Sequence, residues 1–221
     1  MHGYGKSIQT CLAARAVWEP GGNISPGDYG QILNGCFVRL GSVGELGVKL
    51  APPELMSQNR YQFSSGLSSQ QDVSATTAVE WTGELLASIN WAGGAGLFLG
   101  APTSALLTIA DLGRIVRATL ATKQWGFSWR LVRQVRTLTR GVVVLGGNSA
   151  TKGKLDFQSE IPSLEARISA GTSHATGFSL VQRGVSGAVY VHTVRLRPFL
   201  THGSAPLDHE LWHEDDLNDE D

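Results

Sequence analysis

VSATTAVEWTGELLASINW, residues 73–91, alternates apolar and polar side chains over 19 positions. Val73, Ala75, Thr77, Val79, Trp81, Leu85, Ala87, Ile89 and Trp91 share one face of an extended chain. Ser74, Thr76, Glu80, Thr82, Glu84, Ser88 and Asn90 take the other, and only Ala78, Gly83 and Leu86 blur the pattern. A period of two marks a strand with one dry and one wet face. At about 3.3 Å per residue this ribbon is roughly 60 Å long, against a usual strand of about five or six residues. Alternation returns at residues 153–181, in Leu155, Phe157 and Ile161, then Leu164, Ala166, Ile168 and Ala170, then Phe178 and Leu180, about a turn at Ala170-Gly171-Thr172-Ser173. Two readings fit these ribbons. They are core strands of a twisted sheet, or they are strands of a membrane barrel, where lipid faces one side, water the other, and neighbouring strands satisfy the backbone. One chain supplies too few strands for a barrel, so the second reading requires a ring of copies, which also removes exposed edges.

Around these ribbons the 221-residue chain has ordinary core content: 42% hydrophobic residues, 17% charged residues and 27 glycines. That fits one apolar, turn-rich globular domain and excludes a disordered chain. Cys11 and Cys36 are too few for a disulfide framework, and no cationic start with an apolar run marks a secretory signal. The expected compartment is therefore a reducing cytosol, with the sequon Asn23-Ile24-Ser25 idle. The formal net charge of −1 hides a division. Residues 208–221, DHELWHEDDLNDED, carry eight acidic residues and no Lys or Arg, leaving 18 basic and 11 acidic residues, a net +7, in residues 1–207. A basic body suggests a polyanionic partner, and an acidic tail either folds back to mask it or stays solvated.

Elsewhere the pattern predicts a short amphipathic helix over 6–17, a strand over Gly35–Gly41, and a polar loop over 51–72. Between Glu84 and Asp111 lie 26 residues without formal charge, but Gly93, Gly94, Gly96, Gly100 and Pro102 argue against a membrane helix. A hairpin tip is expected there, with a helix restarting at Pro102-Thr103 that turns Ile109, Leu112, Val116 and Leu120 inward. In WRLVRQVRTLTRGVVVLGG, Leu131, Val132, Val135 and Leu138 follow a helical period, with Arg130, Arg133, Arg136 and Arg140 on other faces, before a buried strand at Val142–Leu145. The last strand is expected over Gly187–Leu200. The fold class is α+β, a twisted, mostly antiparallel sheet with a few packed helices.

No catalytic motif is complete. His209-Glu210-Leu211-Trp212-His213 has the form H-E-x-x-H, but a catalytic zinc takes a third protein ligand usually well downstream or in an extended motif with Gly and His, and only eight very acidic residues follow His213, so no metal is expected. Gly147–Lys154 is out of register for a phosphate loop, with Leu155 where Ser or Thr should bind magnesium. Gly93, Gly94 and Gly96 lack the closing glycine of a dinucleotide site. His174 and His192 have no assignable partner, and Cys11 reads either as a buried small residue or as an acylation site. No enzyme activity and no cofactor are expected.

The run LVRQVRTLTRGVVVLGGNSATKGKLDF, Leu131–Phe157, resembles the gasdermin segment in which a basic L-x-x-Q-x-R stretch precedes an apolar strand and a polar lead into the second membrane hairpin. GVSGAVYVHTVRLRPFL is similar to the strand that closes the gasdermin pore-forming domain, and SPGDYGQILNGCFVRLGSVGELG, Ser25–Gly47, to the short bacterial and fungal members. The resemblance spans residues 5–200. It implies a cell-death and antiviral-defence effector with a pore-forming domain over 1–200 and an inhibitory tail over 201–221. Such a protein rests in the cytoplasm, is cut by an activating protease between Leu200 and Leu207, and assembles as a homo-oligomer on the inner membrane. The large inhibitory domain of animal gasdermins is absent, as in the short type, and Cys11 lies later than the acylated cysteine of bacterial members. On this reading Arg114, Arg117, Arg130, Arg133, Arg136 and Arg140 engage anionic lipid head groups, each worth on the order of 1 kcal/mol near a negative surface. Val79, Trp81, Leu85 and Ile89 would face lipid, and no nucleic acid is expected as partner. The alternative is a soluble β-rich polyanion or nucleic-acid-binding module, in which the same arginines track phosphates and the tail mimics them.

Overall fold

Two long strands, β7 (Arg130–Gly146) and β9 (Phe178–Leu196), form the antiparallel spine of the protein. The computed structural model describes residues 2–65, 84–91, 96–146, 151–158, 178–196 and 211–214. These hold helix α1 (His2–Leu12), strands β1 (Arg15–Val17), β2 (Asp28–Leu33), β3 (Cys36–Ser42), β4 (Glu54–Ser65), β5 (Glu84–Trp91) and β6 (Leu97–Thr108), and helix α2 (Leu112–Ala121). After β7 come β8 (Thr151–Gln158), β9 and β10 (Trp212–Glu214). The main sheet runs β10-β9-β1-β3-β2-β7-β6-β4, with a further β9–β7 pairing; β5 and β8 form a two-stranded sheet. Only β1–β3 is parallel, so the sheet is mixed and mostly antiparallel and the fold is α+β, as expected.

The pairings β9–β1–β3–β2–β7–β9 close on themselves. Val17, Phe37, Val132, Val135, Ala188 and Val191 pack together among these five strands. From this ring β7 and β9 run on beside β6 and β4 as a four-stranded antiparallel sheet. There Leu97, Leu99, Leu138, Val143 and Val185 pack with Tyr4 and Ile8 of α1. At the other end, Ile115, Val116 and Leu120 of α2 pack with Tyr29, Trp125, Leu131 and Val194. Burying those faces supplies most of what holds each helix, since helices this short are marginal alone.

Several expectations are corrected. The first helix spans His2–Leu12 rather than 6–17, because Ala13 adopts a positive φ of 48° and the chain turns into β1. The loop expected over 51–72 contains β4; its polarity is that of an edge strand, paired only with β6 among the described residues, whose first residues are mostly solvent-exposed. No helix restarts at Pro102. β6 continues to Thr108, with neither ladder assigning Pro102 a partner, and α2 begins after Asp111, whose side chain accepts the Arg114 N–H at 3.0 Å.

The largest correction is Arg130–Arg140, which is strand and not helix. β7 is covered on both faces, and register shifts against β9 between Val132 and Gln134, Arg136 and Thr137, and Leu138 and Gly141 reset the inward phase. Leu131, Val132, Val135 and Leu138 therefore bury at spacings that imitate a helical period. The strand expected over Gly187–Leu200 starts earlier, at Phe178. The turn expected at Ala170–Ser173 lies outside the described residues.

Candidate functional site

β5 holds residues 84–91 of the first amphipathic stretch and β8 (151–158) the start of the second, and they pair with each other; residues 73–83 and 159–177 lie outside the described residues. Their ladder runs from Glu84↔Gln158 to Trp91↔Thr151. The β6–β7 ladder resumes at Leu97↔Leu145 and reaches Thr108↔Gln134 in the same register, every partner pair adding to one total (84 with 158, 97 with 145, 108 with 134). Of the hairpin tip expected within Trp91–Pro102, residues 92–95 lie outside the described residues and Leu97–Pro102 belong to β6; no β5–β6 pairing occurs among the described residues.

Register sorts the arm into faces. Leu85↔Phe157 and Ala87↔Leu155 stand across from each other, with Ile89↔Gly153 and Trp91↔Thr151 beyond them. In an antiparallel pair, directly opposed residues share a face, so the apolar sets of both stretches fall together. This face is in phase with Leu97, Leu99 and Ala101 of β6 and Val143 and Leu145 of β7, which are buried in the α1 cluster. The other face carries Glu84, Leu86, Ser88 and Asn90 opposite Gln158, Asp156, Lys154 and Lys152. Leu85 and Ile89 are in β5 as expected; Val79 and Trp81 lie outside the described residues. β4 ends at Ser65, opposite Leu97, and β9 begins at Phe178, opposite Gly146, so both strands reach this end of the sheet.

The six arginines do not form one surface. Arg114 and Arg117 are exposed on α2. The Arg114 Nε sits 3.6 Å from an Asp111 carboxylate oxygen, and its guanidinium donates to the Lys49 carbonyl at 3.2 Å. Arg130 is fully buried and donates to the Ser128 carbonyl at 3.1 Å, so in this state it is a structural residue, out of reach of a head group. Arg133 is half-buried. Arg136 lies 4.9 Å from the Tyr61 ring centroid and donates to Ser57 Oγ at 3.4 Å and Ser104 Oγ at 3.3 Å, tying β4, β6 and β7 together. Tyr61 and Tyr190 share a hydrogen bond of 3.3 Å; burial, then that bond, pushes the Tyr61 phenol well above its ordinary range. Arg140 is exposed at the β7 register shift, with φ of 54° and its N–H donating to Ser186 Oγ at 3.2 Å. Because β7 starts beside α2 and ends at β8, Arg114, Arg117 and Arg130 are at the end of the sheet away from the arm. Lys152 and Lys154 are on the arm itself. Their alternation with Gly153 and Leu155 was the signal for these two cations, masked in the sequence by the resemblance of Gly147–Lys154 to a phosphate loop.

The acidic tail enters the sheet. β10 pairs antiparallel with β9, Trp212↔Leu196, His213↔Arg195 and Glu214↔Val194, and Leu211 is buried in the α2 cluster with Ile115, Val116 and Leu120. Of the H-E-x-x-H motif, His213 lies in β10 while His209 and Glu210 lie outside the described residues, and β8 places Gly153 and Lys154 in a strand rather than at a helix start. Among the described residues no His, Cys, Asp and Glu group could hold a metal, and no helix is long and apolar enough to cross a membrane. Cys11 falls in α1, and Cys36 is a buried free thiol whose pKa burial raises, against activation as a nucleophile. Leu200 and Leu207 lie outside the described residues.

Compared with known proteins, the chain matches no protein-family model and no curated sequence.

Proposed function

We propose that this chain is a membrane-permeabilising pore former of gasdermin-like design, held inactive by its C-terminal segment and activated when a protease cuts between Leu200 and Leu207. The observation that carries this reading is the register shared by the β6–β7 and β5–β8 ladders, with Leu85, Ala87 and Ile89 opposite Phe157, Leu155 and Gly153 on one face of the β5–β8 pair. A lipid-facing strand pair needs that arrangement, with Glu84, Asp156, Lys152 and Lys154 on the water side.

The strands β4, β6, β7 and β9 alternate in direction. Among the described residues, β4 has no partner on its outer edge, and β9 has none there over Phe178–Arg183. A second copy's β4 set beside β9 continues the alternation, so copies can close a ring without a free edge. On this reading Lys152 and Lys154 of the arm, with the exposed Arg140 farther back on β7, meet anionic head groups. No step of this activity calls for a catalytic residue or cofactor.

The test is dye release from anionic liposomes by the full-length chain carrying a protease site within residues 201–206, measured before and after cutting. Release only after cutting is the expected result. Sealed liposomes in both states, with binding of the cut protein to nucleic acid, would favour a polyanion-binding module instead.

A further inference from the structure

We infer that the β9 edge at Val194–Leu196, together with the α2 cluster, is a strand-addition site for an acidic peptide with a leucine anchor. The chain's own tail is its resident ligand and stays docked after the backbone is cut. The inference deepens the tail part of the proposed function and does not depend on pore formation.

The edge is short and defined. β1 occupies the same side of β9 at Tyr190 and Val191, so the segment open to an added strand begins beyond it, where β10 pairs over three residues. Strand pairing supplies direction and register but little selectivity, which comes from side-chain pockets and charge. Leu211, 3% exposed among Ile115, Val116, Leu120 and Trp125, is the anchor, and Trp212 packs beside it. The Trp212 indole nitrogen is buried with no acceptor among the described residues, a desolvation cost that weakens binding at the site. Charge matches: residues 208–221 carry eight acidic side chains, while the neighbouring surface presents Arg195 opposite His213 and the exposed Arg114 and Arg117 on α2.

Fourteen residues, 197–210, join β9 to Leu211. A tether of that length holds the tail at an effective concentration in the millimolar range, so a weak contact stays closed. Cutting the tether forms and breaks no docking contact; it lowers the concentration that the site experiences to that of the free fragment. Proteolysis therefore primes release, and dilution completes it.

The full-length chain with a protease site within residues 201–206 and a fluorophore at its C-terminus tests this by anisotropy after cutting. At about 50 µM the labelled fragment is expected to remain bound, and to leave on dilution about a hundredfold. Unlabelled peptide 208–221 should displace it, and the same peptide with Leu211→Ala should need about tenfold more or greater. Immediate loss of anisotropy at the highest concentration would overturn the inference, and so would equal competition by the two peptides. Because the substitution is in the peptide, folding of the protein is not at stake. Docking without dye release would leave this site standing and remove the pore; dye release without docking would do the reverse.

Discussion

Tyr4 is completely buried in α1 and donates its hydroxyl to the Val189 carbonyl at 2.7 Å, joining the first helix to β9, the longest of the described strands. Burial, and after it the nearby Cys36, raises its pKa far above the ordinary value of about 10. The unfolded phenol ionises as pH passes about 10 while the folded one cannot, so this contribution is complete below pH 10 and is lost as pH rises beyond it. Tyr4→Phe should cost about 1–2 kcal/mol near neutral pH through the lost hydrogen bond. Its deficit against the native chain should shrink between pH 10 and 12 in denaturant titrations; a constant deficit would contradict the burial argument. Gly30 is a second residue with no freedom to change. It sits at the register shift of β2 and β3, and an added Cβ would fall on the Val38 carbonyl oxygen and against the Phe37 ring. Gly30→Ala should lower stability by about 2–4 kcal/mol, read as a drop in melting temperature.

At the scale of the element, β5 offers adjacent positions with opposite roles. Ile89 belongs to the apolar face and Asn90, opposite Lys152, to the polar one. An arginine on a lipid-facing strand position costs roughly 2–4 kcal/mol near the bilayer midplane, while positions facing water tolerate it. Ile89→Arg should therefore abolish dye release by the cut protein, and Asn90→Arg should leave most of it. Equal loss from both would mean that the arm does not enter lipid with this face. β4 illustrates the complementary rule: a strand at the edge of the sheet, paired on one side among the described residues, can be polar along most of its length because much of it meets water.

The whole molecule is a charge pair in one chain, +7 in residues 1–207 against −8 in the tail. β10 of the tail and the arm stand at opposite ends of the β7–β9 spine, since Arg195 lies beside β10 and Phe178 at the arm end. The tail thus offsets the body's field rather than covering the arm through any contact of the described residues. After cutting and removal of the tail, the body should bind anionic vesicles and not zwitterionic ones in a sedimentation assay. Raising salt from about 0.05 to 0.5 M should release it, because the screening length falls from above 10 Å to a few ångströms. Binding to both vesicle types at high salt would show that apolar contact, not charge, brings the protein to the surface.

Local pattern alone determined the strands at 84–91 and 153–158 within the two amphipathic stretches, the α+β class, the strand at Cys36–Ser42 and the charge division. Each is written in spacing or composition within one short window. Tertiary structure decided the rest. The helical period of Leu131, Val132, Val135 and Leu138 came from bulges against β9, a strand more than 40 residues away, and no local pattern distinguishes a strand buried on both faces from a helix. Pro102 reads as a helix start until the ladders beside it show a gap. The six arginines looked like one basic surface because sequence carries their charge but not their burial; Arg130 went inside and Arg114 to the far end. The tail's composition predicted a solvated or masking segment, but Leu211 finds its pocket only once α2 and β9 are side by side. Charge and periodicity are properties of neighbouring residues, whereas register, burial and edge occupancy belong to pairs of strands that meet only in the folded chain.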